Sequence, residues 1–168
     1  IPAAADHRCQ PDLNSLLQDV PLCMLNVGGK SVLQHQIAAL KEIGVQKFRL
    51  VVGYQKEKVR NFPSVELVHN SDFNSKGSAH SVMTGLNQVS HKCLVCYSDI
   101  LFDRQISELL VQSKHPITLV IDQAFRTLPR RDKKLDLVIS KEKSAESRKL
   151  TMERFKKIQL IGKNINLE

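Results

Sequence analysis

The chain has 168 residues, of which 42% are hydrophobic and only 5% aromatic, with four cysteines and a formal net charge of +8. That length supports one domain with its own core and needs no disulfide scaffold. No apolar run reaches the roughly 18 residues of a membrane span, and the N-terminus lacks the regions of a secretory signal, so a soluble cytoplasmic protein without membrane contacts is expected. The charge excess attracts phosphate, but the scarcity of aromatic rings argues against the stacking platforms of a nucleic-acid binder and favours a small phosphorylated ligand.

The opening "IPAAA" reads as the end of a buried strand, followed by a loop that carries Asp6 and Arg8 where glycine is expected. Beginning there, without an initiator methionine, the chain reads as a single domain over residues 1–168 cut from a longer one at both ends. "VGGKSVLQHQ" reads as a tight turn with Ser31 as helix cap and Lys30 in solvent. Val32, Leu33, Gln36, Ile37 and Leu40 recur at helical spacing over residues 31–44, and Gly44 stands where a C-terminal cap belongs.

"KFRLVVGY" predicts a strand ending in a glycine turn, "KEKVRNF" a short helical piece and "VELVHN" a second strand. "SAHSVMTGLNQVS" predicts a helix with Val82, Met83 and Leu86 on one side. "CLVCYSDILF" reads as a strand covered on both faces, "RQISELLVQSK" as a helix capped by Asp103, and "PITLVID" as a further buried strand. Strands alternating with helices imply an α/β fold with a mostly parallel sheet, in which ligands bind beyond the carboxyl ends of the strands. The basic stretch at residues 126–157 has little period and reads as a solvated insertion.

Asp99 is expected to leave its strand at the ligand edge, where it either holds a hard cation such as Mg²⁺ or caps the next turn. "KGSAHS" places a small residue ahead of a helix whose first amides are free, which suits a flat base, an anion or an ordinary cap. Cys93 and Cys96, three apart on a strand, point to opposite faces and cannot share a metal; with Cys9 and Cys23 they read as structural.

Taken in order, these pieces resemble the sugar-nucleotidyltransferase superfamily, and more narrowly the cytidylyltransferases for phosphocholine and phosphonoalkyl groups, including the nucleotidyltransferase domain associated with phosphoenolpyruvate mutase. "IGKNINLE" at the end of the chain resembles the last group. The resemblance implies a Rossmann-like three-layer sandwich, a nucleoside triphosphate donor with CTP favoured, Mg²⁺, and a phosphorylated small molecule as acceptor. It carries the family's glycine-rich loop L-A-A-G-x-G-x-R, shortened here, onto Pro2, Ala3, Ala4, Ala5, Asp6, His7 and Arg8, and its P-K-C-L onto Pro21, Leu22, Cys23 and Met24. The base-side segment falls on Gly77, Ser78 and Ala79, and the metal-binding aspartate on Asp99. Arg8 and Lys30 are then the groups expected to meet phosphates.

The departures sit where phosphate is handled: Ala5 replaces a glycine, Asp6 adds a repelling carboxylate, and Leu22 replaces a lysine. The second metal-binding carboxylate of the family lies on a strand beyond the segment at which this chain ends. Two other readings follow from the damaged loop and the net charge: a non-catalytic nucleotide-binding or regulatory domain on the same fold, and a nucleic-acid-binding module.

Overall fold

Short β-branched runs alternate with amphipathic segments through the first two thirds of the chain, and the elements follow that alternation. The computed structural model describes residues 20–59, 62, 64–121, 137–140 and 158–162. Two compact units meet in sequence at Ser113 and Lys114.

In the first unit a 3₁₀ turn at Leu22–Met24 leads to a small hairpin, β1 (Asn26–Val27) and β2 (Lys30–Ser31), paired antiparallel. Its turn needs positive φ at both central positions, and Gly28 (φ 60°) and Gly29 (φ 87°) supply it without a Cβ penalty. Ser31 then starts α1 (Val32–Glu42) with a reciprocal capping box: its hydroxyl accepts from the Gln34 amide at 3.2 Å, and the Gln34 side chain accepts from the Ser31 amide at 2.7 Å. The chain reverses after Gly44, which adopts φ 87° as expected of a C-terminal cap.

β3 (Phe48–Val52) and β4 (Val65–His69) pair in parallel over five residues, Phe48 opposite Val65 through Val52 opposite His69. A 3₁₀ turn at Lys56–Lys58 lies between them, where the sequence predicts a short helical piece. Strand alternation gives β3 two faces. Phe48, Leu50 and Val52 join Leu33, Ile37 and Leu40 of α1, with Cys23, Val59 and Cys96, in one apolar core. Arg49 and Val51 turn the other way, towards α2 (Ser78–Leu86), which packs on β3. There the Arg49 guanidinium donates to the carbonyls of Gly85 at 3.0 Å and Asn87 at 2.7 Å and pairs with Glu66 at 2.9 Å, so it closes the C-terminal end of α2. The result is helix, parallel sheet, helix: the α/β layering expected of the sequence.

α3 (Arg104–Gln112) packs beside α1. Asp103 occupies its N-cap position, and its carbonyl accepts from the Ile106 amide at 3.1 Å, but its side chain makes no capping hydrogen bond. The cap expected there is thus positional, with no hydrogen bond from the carboxylate. In the second unit β5 (Leu137–Ser140) and β6 (Ile158–Gly162) pair antiparallel with an irregularity between Ile139 and Ser140. The rest of the basic stretch at 126–157 lies outside the described residues.

Three expectations need correction. Met83 does not face the core of its layer; it is 67% exposed, and Ser81 is the buried residue of α2. Residues 93–102 form no strand and are covered on one face only: Leu94 and Cys96 lean on the core while Cys93, Val95 and Tyr97 face solvent. The period of two survives, but no described strand hydrogen-bonds to this segment. Residues 117–121 likewise form no strand, and Ile117, Leu119, Val120 and Ile121 are exposed. Apolar content alone does not make a strand, which also needs a hydrogen-bonding neighbour.

Candidate functional site

Because β3 and β4 are parallel, their carboxyl ends open on the same edge, where open α/β sheets bind ligands. Asn70, at the end of β4, organises that edge. It is 2% exposed; its amide donates to the Val52 carbonyl at 2.9 Å, its side-chain NH₂ donates to Ser81 Oγ at 3.0 Å, and its Oδ1 accepts from the Asp72 amide at 3.0 Å. Gly53, at the end of β3, lies under Phe73, whose Cβ would stand 2.6 Å from any Cβ placed there. These contacts fold the loop at residues 70–77 over the strand ends.

The loop delivers Gly77 as the N-cap of α2, with φ −77° and ψ −179°. The Gly77 carbonyl accepts from the amides of His80 and Ser81, and those of Ser78 and Ala79 have no partner among the described residues. A Cβ on Gly77 would meet nothing within 4 Å. The fold itself therefore makes no demand for glycine at this position.

Beside this terminus Asp72 accepts from Lys76 Nζ at 3.0 Å and stands 3.3 Å from His80 Nε2. The Lys76 ammonium, through its hydrogen bond and its charge, holds the Asp72 carboxyl below its ordinary value, with a smaller contribution from His80.

Asp99 sits in a turn with Ser98, exposed, and takes part in no hydrogen bond or ion pair among the described residues. The turn is fastened from behind. Gln36, on the buried face of α1, donates through one amide nitrogen to the carbonyls of Tyr97 and Ile100, each at 2.7 Å. A lone exposed carboxylate suits Mg²⁺ in one mode, in which the ion keeps most of its waters and takes further oxygens from substrate phosphate. No group of three or more His, Cys, Asp or Glu side chains able to hold a metal occurs among the described residues.

Lys30 is exposed on the hairpin just ahead of α1 and is likewise unpaired among the described residues. Lys30 and Asp99 are thus both tied to α1, while Gly77, Ser78 and Ala79 begin the helix on the opposite face of the sheet. Among the described residues, no hydrogen bond or ion pair joins these three places. Leu22, where the resemblance expects lysine, is half-buried in the 3₁₀ turn. Ala3, Ala4, Ala5 and Arg8 lie outside the described residues, as does Cys9. Burial pushes the Cys23 thiol up to about 12 and raises that of Cys96, so neither supplies a thiolate near neutral pH.

Sequence reasoning named neither Asn70 nor Gln36 as a functional residue. The signal for Gln36 was present, since a carboxamide stood within an apolar helical stripe. An open groove of about 740 Å³ also runs beside β4 and α2, lined among others by Arg49, Glu66, His69, His80 and Thr84; Lys30, Gly77 and Asp99 do not line it. No described helix is long and apolar enough to cross a membrane.

Known proteins place this arrangement. The sequence model of the MobA-like NTP transferase domain matches residues 7–129. The bifunctional protein GlmU of Methanococcus maripaludis is 31% identical over 102 residues, covering 58% of this chain and 24% of GlmU. The CTP:phosphoglutamine cytidylyltransferase of Campylobacter jejuni is 24% identical over 123 residues, 67% of this chain and 49% of that enzyme. The UTP–glucose-1-phosphate uridylyltransferase AglF of Haloferax volcanii is 25% identical over 107 residues, 61% of this chain and 44% of the enzyme. The chain thus spans about a quarter to a half of the length of these relatives. A match over residues 7–129 takes in the hairpin, both layers of helices, the parallel pair and the Asp99 turn, and the chain belongs to the MobA-like NTP transferase domain family.

Proposed function

We propose that the chain binds a nucleoside triphosphate together with Mg²⁺ and transfers its nucleotidyl group to a phosphorylated small molecule, in a cytoplasmic setting. A phosphate or phosphonate oxygen of the acceptor attacks the α-phosphorus; the bond to the bridging oxygen breaks, and pyrophosphate leaves with the electron pair. The observation that carries the reading is the family match across residues 7–129. The amides of Ser78 and Ala79 beside Gly77, without a partner among the described residues, suit the close approach of a base or anion. CTP is the donor to test first, since one relative is a cytidylyltransferase, with UTP next because another is a uridylyltransferase.

In this reading Asp99 holds Mg²⁺, which when bound neutralises charge on the phosphates. Lys30 and Arg8 supply cations to the same groups, Ala3, Ala4 and Ala5 line the shortened loop, and Gly77, Ser78 and Ala79 meet the base. Catalysis then rests on position and charge more than on any protein acid or base.

The second reading, nucleotide binding without turnover, is favoured by Leu22. A half-buried leucine stands where the family pattern has lysine, and Asp6 adds a repelling charge to the loop. Losing one preorganised cation of that kind raises a barrier by about 3 kcal/mol.

Calorimetric titration of CTP, UTP, ATP and GTP, each with Mg²⁺, tests the donor, and pyrophosphate release with glucose 1-phosphate or phosphocholine as acceptor separates the two readings. Gly77→Val should abolish CTP binding while the chain still folds, because a Cβ at this position meets nothing within 4 Å in the free protein. Undiminished binding in that variant would remove Gly77 from the base site. Binding of no triphosphate by the parent chain would overturn both readings.

A further inference from the structure

Among the described residues, the segment that carries Asp99 lacks the strand partner that usually fixes such a carboxylate. In a hydrogen-bonded strand the ladder sets the position of the residue at its end, and residues 93–98 pair with no described strand. Among the described residues, the hydrogen bonds that hold the turn come from one buried side chain. Gln36 is 1% exposed, and its NH₂ group donates to Tyr97 O and Ile100 O, the carbonyls on either side of Ser98 and Asp99, at 2.7 Å each.

Both of its donors are therefore used on one turn, across 61 and 64 residues of sequence. Its oxygen is buried with no partner. An orphaned buried acceptor is a destabilising feature, so the benefit of the carboxamide at this site lies in its two N–H groups. Flipping the amide would point oxygen at two carbonyl oxygens, which excludes the reverse orientation.

The base of this clamp is rigid. Gln36 lies between Leu33, Ile37 and Leu40, all in the core against β3, on a helix whose start is fixed by the Ser31 capping box. A position on such a helix transmits the placement of the core to the turn with little play.

We propose that Gln36 is a positioning residue for Asp99: its carboxamide fastens the backbone on either side of Ser98 and Asp99 and presents the Asp99 carboxylate at a fixed place to a phosphate-bound Mg²⁺. The proposal rests on the reading of Asp99 given above. Mg²⁺ accepts little deviation from octahedral geometry, so a ligand on a loose turn binds it less well than the same ligand on a held one. Gln36 touches neither ion nor nucleotide and acts only through the backbone of residues 97–100.

The test is a double-mutant cycle on the full chain, with CTP titrated by calorimetry in Mg²⁺ and again in EDTA. Gln36→Met keeps length and removes both donors. It is expected to weaken CTP binding about tenfold in Mg²⁺, and by less than about twofold in EDTA or when combined with Asp99→Asn. In parallel, amide hydrogen exchange at residues 98–101 should speed up in Gln36→Met while that of Leu50, Val51 and Val52 stays slow.

A loss of equal size with and without metal, or an undiminished effect in the Asp99→Asn background, would overturn the positioning role, as would unchanged exchange in the turn. If Gln36→Met does not fold, Ser98→Gly carries the test: it loosens the same turn from outside the core, and a loss confined to Mg²⁺ supports the clamp while any other result overturns it. Parent chain that binds CTP equally in Mg²⁺ and EDTA would instead remove Asp99 as the metal ligand, and is told apart from failure of the clamp because no variant is needed to see it.

Discussion

Two loops at the edge of this domain are each held by one buried carboxamide, and the two are held differently. Asn70 sits at the start of the loop it organises, and its partners, Asp72 and Ser81, lie close by in sequence. Both ends of its amide are satisfied, and its backbone amide bonds to Val52 as well. Gln36 holds a turn some sixty residues away, through its nitrogen alone, and leaves its oxygen orphaned. The first arrangement is a local device that stabilises the fold wherever the loop is needed. The second is long-range and incompletely satisfied, as expected where position of the held segment matters more than stability.

Breaking the two amides in turn sharpens that contrast. Asn70→Leu strands the Asp72 amide and the Ser81 hydroxyl and is expected to destabilise the first unit by about 2–3 kcal/mol. Gln36→Met strands two carbonyls but also removes the orphaned oxygen, and the loss should be nearer 1 kcal/mol. Urea titration followed by the helical signal reads both. A larger loss at Gln36 than at Asn70 would reverse the comparison.

The same contrast marks what the sequence could disclose. Helices α1, α2 and α3 and strands β3 and β4 were legible because their apolar spacing and caps are local: Ser31 with Gln34 is a capping box on sight, and Gly44 a terminator. Residues 93–102 and 117–121 were misread because apolar content alone does not say whether a neighbour will pair, and pairing is non-local. The Gly77 segment was legible as a helix start. Gln36 was seen within the apolar stripe of α1, but its partners were invisible, since nothing local links residue 36 to Tyr97 and Ile100.

Helix caps give a second, smaller comparison. Ser31 makes a reciprocal capping box, whereas Asp103 occupies the N-cap of α3 without a side-chain bond. Ser31→Ala should therefore cost about 1 kcal/mol in the same urea titration. Asp103→Ala should stay within about 0.5 kcal/mol of the parent, its carboxylate acting on the helix dipole alone. Equal losses would mean that the Asp103 side chain caps α3 in solution as the sequence predicts.

The smallest effect is expected at Asp72, where the Asn70 loop meets the start of α2. Its backbone bonds, from the amide to Asn70 and from the carbonyl to Ser75 and Lys76, survive replacement of the side chain, so Asp72→Asn isolates the carboxylate. In the folded protein Lys76, with a smaller part from His80, lowers the pKa of that carboxyl. A lowered folded value means that the native state binds the proton less readily than the unfolded chain. The stabilisation is then complete above the unfolded value of the group and is lost as pH falls through the folded one. At pH 7 the thermal midpoint of Asp72→Asn should lie slightly below that of the parent, and the gap should close as pH drops below the carboxylate range. The pair is exposed, so added salt should narrow the gap at pH 7 as well. A gap that persists unchanged into acid, or that ignores salt, would show that Asp72 holds the loop through something other than its charge, and the contrast between a locally satisfied loop and a remotely clamped turn would then rest on Asn70 alone.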